Sequence, residues 1–249
     1  MVFLVSSFPI ITMRLAFRKA GLMNSQVTYD SAAHWDTLHD QPRFRPVYPN
    51  EHVVRFLMAN RNKQLPNTAK PRVLDLGAGG GRHLKLIAEL GFEPYGLDIS
   101  LTGLRHARAT CVRIGVRPAV VRASMLALPF HSESFDLVIS FGVFYYGTTV
   151  EMRQAIAELA RVLCCEGKAF LVLRTTSDYR YGQGEEIEPR TFRLNIHDTN
   201  EHGTVQHFLG EADVIEYFRA FSQVNFERTE TTFRERQHSN SDWLITVQK

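Results

Sequence analysis

Cysteine is scarce in this sequence: three of 249 residues, at Cys111, Cys164 and Cys165. An odd number, two of them adjacent and no C-x-x-C pair, argues against a disulfide framework or a cysteine zinc site. The pattern fits small buried hydrophobes in a reducing compartment such as the cytoplasm. Long apolar runs are missing too; none approaches the ~20 residues that cross a bilayer, which argues against a membrane partner. Charge of one sign is also lacking. The formal net charge is +3 with 22% charged residues, whereas a dedicated nucleic-acid binder carries a clustered basic face. No internal repeat and no low-complexity linker interrupts the chain, and 44% hydrophobic residues suffice for one large α/β domain.

No acid precedes Asp30, and the apolar start comes before Arg14, Arg18 and Lys19, the reverse of a secretory signal peptide. Two readings stand: an organellar transit peptide, or sequence upstream of a true start at Met23. Residues 1–22 are therefore set apart, and residues 23–249 read as a single domain.

What the chain does contain is alternation. "RVLDLG", "EPYGLDI", "PAVVRAS", "SFDLVISFGVF" and "KAFLVLRT" read as five strands. Between them Leu84, Ile87, Ala88 and Gly91, then Leu101, Leu104, Ala107 and Cys111 behind a Ser100 cap, recur at helical spacing. Met152, Ala155, Ile156, Leu159 and Val162 mark another helix, expected to stop near Glu166-Gly167. "EADVIEYFRAF" is helical, and "VNFERTETTFRER" and "SDWLITVQK" form a hairpin joined by "QHSN". Strands alternating with helices give a Rossmann-like, doubly wound α/β sheet of seven strands, mostly parallel, with an antiparallel strand from the C-terminal hairpin. Residues 71–174 are its first half, and residues 211–249 the closing helix and hairpin. Two segments stand outside the alternation: an N-terminal helical cap at residues 29–70 and an insertion after strand five at residues 175–210. In an open parallel sheet ligands sit beyond the carboxyl ends of the strands, so these two segments are expected to fold over that edge and select the substrate.

The first strand runs into Gly77, Gly79, Gly80 and Gly81. A dinucleotide fingerprint G-x-G-x-x-G needs a third glycine where Arg82 stands, which argues against an oxidoreductase. The spacing here is Asp75-x-Gly77-x-Gly79-x-Gly81, with Asp98 at the end of the second strand. This resembles motif I of the class I S-adenosylmethionine-dependent methyltransferases. "LPFHSESFDLVIS" and "AIAELARVLCCEGKAFLVL" are similar to that group's later motifs, and the likeness runs from about residue 29 to residue 249.

The resemblance implies S-adenosyl-L-methionine as cofactor and S-adenosyl-L-homocysteine as product. It implies Gly77, Ala78 and Gly79 against the methionine chain, Asp75 steadying the loop or reaching the amino group, and Asp98 accepting both ribose hydroxyls. Ile99, Met125 and Phe141 complete the cofactor set, with Tyr29 and Trp35 covering it from the cap. Two departures matter: Ser124 stands where an acid commonly meets adenine, and Lys168 replaces a glycine before strand five.

Methyl transfer from a sulfonium needs alignment more than a base, so no catalytic residue announces itself. Tyr146, His202 and His207 are the base candidates. Tyr146, Arg174, Tyr179 and Tyr181 are the acceptor-side candidates, with Tyr145, Asp178 and Arg180 nearby. His197, His202 and His207 recur every five residues, a spacing that suits no metal site. "RFRPVYP" at residues 43–49 is one small basic aromatic patch. The expected activity is methylation of an N or O atom of a small molecule by a monomer or homodimer. An RNA or protein methyltransferase, and an inactive cofactor-binding regulator, remain the alternatives.

Overall fold

The computed structural model describes residues 31–61, 70–197 and 199–249; Tyr29 and the N-terminal extension lie outside them. Among these residues the elements are α1 (Ser31–Asp40), a 3-10 turn (Pro42–Phe44), α2 (Glu51–Asn60), β1 (Arg72–Leu76), α3 (Arg82–Glu89), β2 (Glu93–Asp98) and α4 (Leu101–Val112). There follow β3 (Ala119–Arg122), β4 (Phe135–Phe141), α5 (Thr149–Val162), β5 (Leu163–Arg174), β6 (Gly184–Glu188), β7 (Thr191–Leu194), β8 (Val205–His207), α6 (Glu211–Tyr217), β9 (Gln223–Phe233) and β10 (His238–Gln248).

Seven strands form one sheet in the order β3-β2-β1-β4-β5-β10-β9. β1 pairs parallel with β2 and β4, β4 with β5, and β10 antiparallel with β5 and β9. The order reverses between β1 and β4, which opens a crevice at their carboxyl ends. Side chains alternate across the sheet. Leu74, Leu76, Val138, Ala169 and Leu171 meet α5 and α6 on one face, through Met152, Ile156, Leu159, Val214 and Phe218. Val73, Leu137, Ile139, Phe170 and Val172 meet α2, α3 and α4 on the other, through Val53, Leu57, Leu84, Ile87 and Ala107. The central strands are hydrophobic on both faces because both faces are covered. The insertion holds its own antiparallel sheet, β6-β7-β8, around Phe192, Leu194 and Phe208. No helix of the described residues is long and apolar enough to cross a membrane.

Two boundaries differ from expectation. α5 stops at Val162, and Leu163 already belongs to β5. The Glu166-Gly167 pair instead sits in an irregularity of that strand, where its register against β4 shifts between Phe135 and Leu137 and Glu166 adopts φ +62°. The hairpin turns at Arg234, Glu235 and Arg236, whose φ values are all positive, ahead of "QHSN". His238–Asn240 extend β10 because Phe233 and His238 pair across the strands, their rings 5.5 Å apart, with Tyr179 set edge-on to both.

Candidate active site

The turn from β1 to α3 is held by the end of β2. Gly77 and Ala78 donate their N–H groups to Leu97 O at 2.7 and 2.9 Å, and Gly79 donates to Asp98 Oδ2 at 2.8 Å. Ser100 N–H donates to Asp98 Oδ1 at 2.8 Å. Each carboxylate oxygen keeps a second lone pair for a ligand. Burial raises the Asp98 carboxyl above the usual carboxylate range, against the opposing pull of these N–H groups and of His39.

Gly77, Gly79 and Gly81 have φ of +86°, +49° and +83°, a region that glycine enters without strain. Space demands them as well. A Cβ on Gly77 would lie 2.1 Å from Val143 Cγ2, and one on Gly81 2.6 Å from Ala107 Cα in α4. The glycines thus serve close packing on both sides of the turn, beyond the approach of a ligand that the sequence suggested.

Asp75 is 1% exposed at the foot of this turn. Its Oδ1 lies 3.6 Å from His83 Nδ1, and its Oδ2 has no hydrogen-bond partner. His83 Nε2 accepts the Asn50 N–H at 3.2 Å, so the tautomer assigned to this geometry carries its hydrogen on Nδ1, toward Asp75. A buried carboxylate oxygen without a donor fits a site that receives a cationic amine. Arg82 lies beside it with its guanidinium 5.1 Å from the Phe141 ring centroid; burial lowers its pKa and Asp75 opposes that shift.

Around the turn opens a cleft of about 750 Å³, a size that suits a nucleoside-scale ligand together with an acceptor. Its walls bring together Trp35, Gly77, Ala78, Gly79, Asp98, Ile99, Ser124, Met125, Phe141 and Tyr146, from segments far apart in the chain. Asp75 stands behind the lining.

Ser31, Trp35 and His39 follow at i, i+4 and i+8 of α1 and all face the cleft. Asp36, on another face of α1, fastens the helix to the start of α4: its Oδ1 accepts Ser100 Oγ–H and Thr102 N–H, both at 2.8 Å. The Trp35 ring meets Tyr146 edge-on, with centroids 5.2 Å apart at 81°. Beyond them the cleft continues along Thr148 and Glu151 of the α5 start and Ile187, Arg193 and Val205 of the insertion. Cap and insertion therefore both close over the carboxyl edge of the sheet.

Other expected residues are placed elsewhere. Arg174 is buried, stacked 4.5 Å over the Tyr145 ring and bonded to Gln206 and Glu201. Arg180 joins the same ion cluster through Glu201 and Asp178. Tyr181 covers Phe192 and Phe208 of the insertion core. Tyr179 and His202 line a separate cleft beside α1, where the His202 and His197 rings lie 4.1 Å apart, tilted by 33°. His207 is buried with Nδ1 on Thr191 Oγ1 at 2.7 Å and Nε2 on Tyr217 Oη at 3.2 Å, so both ring nitrogens are engaged. Neither histidine reaches the cleft. Tyr146 does, but its hydroxyl donates to Glu201 Oε1 at 3.0 Å, and burial pushes its pKa well up; it stays a neutral phenol. No group of three or more His, Cys, Asp or Glu able to hold a metal occurs among the described residues.

Sequence reasoning missed His39, Arg82, Glu151 and Arg193. Signals for three of them were present. His39 lies one helical turn from Trp35, Glu151 completes a T-x-x-E capping box with Thr148, and Arg193 alternates with the apolar Phe192 and Leu194.

Known proteins agree with this geometry. Residues 73–167 match the family described as Methyltransferase domain. A ubiquinone biosynthesis O-methyltransferase of Chelativorans sp. is 27% identical over 54% of this chain and 56% of its own length. A probable tRNA methyltransferase 9B of Bos taurus is 32% identical over 45% of this chain and 23% of its own. The chain thus spans about half the length of the first of these relatives. The crystal structure of a methyltransferase from Methanosarcina mazei superposes with TM-score 0.63 at 21% identity, covering 78% of this chain and 96% of that one. With the strand order, the glycine turn and the acid at the end of β2 already in place, residues 73–167 match a methyltransferase domain, and the chain has the fold of the class I S-adenosylmethionine-dependent methyltransferases.

Proposed function

We propose that the protein transfers the methyl group of S-adenosylmethionine to an oxygen or nitrogen of a small-molecule acceptor. The observation that carries this reading is the far end of the cleft, a pocket walled by Trp35, Tyr146, Ile187 and Val205 and roofed by α1 and the insertion. Such walls enclose a compact acceptor and exclude water. In this reading the second lone pairs of Asp98 take the ribose hydroxyls. The guanidinium of Arg82 meets the carboxylate of the methionine chain, while Asp75, buried behind the lining with Oδ2 unpaired, places its negative charge behind the amino group. Ser124 and Met125 line the adenine end, with Phe141 and Trp35 against the sulfonium region. The cofactor supplies an electrophilic methyl on a cationic sulfur. The residues of the chain align the acceptor atom for in-line attack and keep the site dry. Tyr146 is held protonated and is no poised base; an amine or an already acidic hydroxyl needs none from it.

RNA is the second reading, favoured by one feature of the cleft mouth. Phe44 and Pro46 line the cleft, and next to them Tyr48 is 84% exposed, a ring on which a base can stack. Labelled methyl donor incubated with the full chain and fractionated cell extract separates the two. Label in the acid-soluble small-molecule fraction supports the proposal; label confined to RNA overturns it.

A further inference from the structure

β7 reads Thr191-Phe192-Arg193-Leu194, with Thr191, Phe192 and Leu194 buried and Arg193 only partly so. Phe192 and Leu194 turn into the core of the insertion with Phe208. A period of two puts Arg193 on the opposite face. Val205 is its register partner on β8, and both line the cleft. That wall adjoins Tyr146: Gly147 N–H donates to Val205 O at 3.0 Å, and Tyr146 bridges to Gln206.

Arg193 is thus an arginine mounted on a strand at the acceptor end, beside two aromatic rings at right angles. Its acidic neighbour is Glu185, 3.9 Å away, with the two side chains 39% and 72% exposed. So long and solvated a pair leaves the guanidinium fork free for a ligand. Arg82, the other arginine of the cleft, stands at the glycine turn against Phe141.

We propose that the acceptor is a planar small molecule bearing one carboxylate, held by a two-point hydrogen bond from Arg193 while its ring packs against the wall formed by the Trp35–Tyr146 pair. This rests on the methyl-transfer reading above and deepens it. Charge at this end selects a monoanion. One guanidinium matches one carboxylate, and Glu151, whose Oε2 is bound by Thr148 N–H and hydroxyl, adds negative charge that opposes a phosphate dianion.

The test uses the full chain saturated with S-adenosylhomocysteine and titrated calorimetrically with 4-hydroxybenzoate, its methyl ester and phenyl phosphate. The acid is expected to bind at least ~10-fold more tightly than the ester, about 1.4 kcal/mol, and more tightly than phenyl phosphate. Arg193→Gln should erase that preference while leaving the affinity for S-adenosylhomocysteine unchanged; Arg193→Lys should keep part of it. Equal binding of acid and ester, a preference that survives Arg193→Gln, tighter binding of phenyl phosphate, or no binding of any probe at millimolar concentration overturns the proposal. Failure of the wild type to bind S-adenosylhomocysteine fells the methyl-transfer reading itself, and this one with it.

Discussion

Asp242 shares its surroundings with Arg174, Asp178, Arg180 and Glu201, three carboxylates against two guanidiniums. Burial pushes the Asp242 carboxyl up to about 6, and Asp178 and Glu201 add to the shift while the arginines oppose it. The folded pKa lies above the unfolded value, so the native state binds the proton more tightly. Stability therefore falls as pH rises from about 4 to 6, and the penalty is complete above pH 6. Asp242→Asn removes it. At pH 7.5 the variant should be about 2–3 kcal/mol more stable in denaturant titration, an advantage that vanishes below about pH 4. An advantage independent of pH would contradict this account of the cluster.

Tyr146 belongs to the same cluster through Glu201. Tyr146→Phe leaves that buried carboxylate with one donor fewer and should cost about 1–2 kcal/mol of stability. Because the phenol is held protonated, the pH profile of methyl transfer should keep its shape; loss of one limb would make Tyr146 the base after all. Asp75, Asp98, Trp35 and Tyr146 were legible as site candidates because motif spacing and strand ends fix where such side chains go. Arg174 and His207 misled because a charge in a loop near the right edge looks the same in sequence whether it faces a cleft or a buried partner.

Elements meet at the glycine turn. α3 and α4 approach so closely at Gly81 that its missing Cβ is part of their interface. Gly81→Ala combines a strained positive φ with a backbone clash and should destabilise the protein by about 3 kcal/mol, measurable as a drop in the urea midpoint. A neutral result would mean that the two helices yield easily at this contact. Strand and helix cores were readable from periodicity. Their ends were less so, because tertiary pairing decides them: β5 begins inside what reads as the tail of α5, and the aromatic trio Tyr179, Phe233 and His238 pulls the hairpin turn upstream. The short sheet of the insertion was read only as a substrate-side segment, since strands of three to five residues leave little pattern.

The whole molecule is a seven-stranded sheet whose strand order reverses between β1 and β4, with two caps closing over the edge where that reversal opens. The cofactor half was legible because one turn, one acid and one alternation specify it together. The acceptor end was not, because Trp35, Arg193 and Glu151 come from three distant segments that only the fold brings together.

Asp98 and the glycine turn are proposed to hold S-adenosylmethionine. Calorimetric titration of S-adenosylhomocysteine into wild type and Asp98→Ala, with circular dichroism confirming that both are folded, tests this role most directly. Saturable binding to the wild type and a loss of about 2–3 kcal/mol in the variant are expected, the size of charge-assisted hydrogen bonds to a diol. Undiminished affinity in folded Asp98→Ala, or no binding by the wild type, would contradict it.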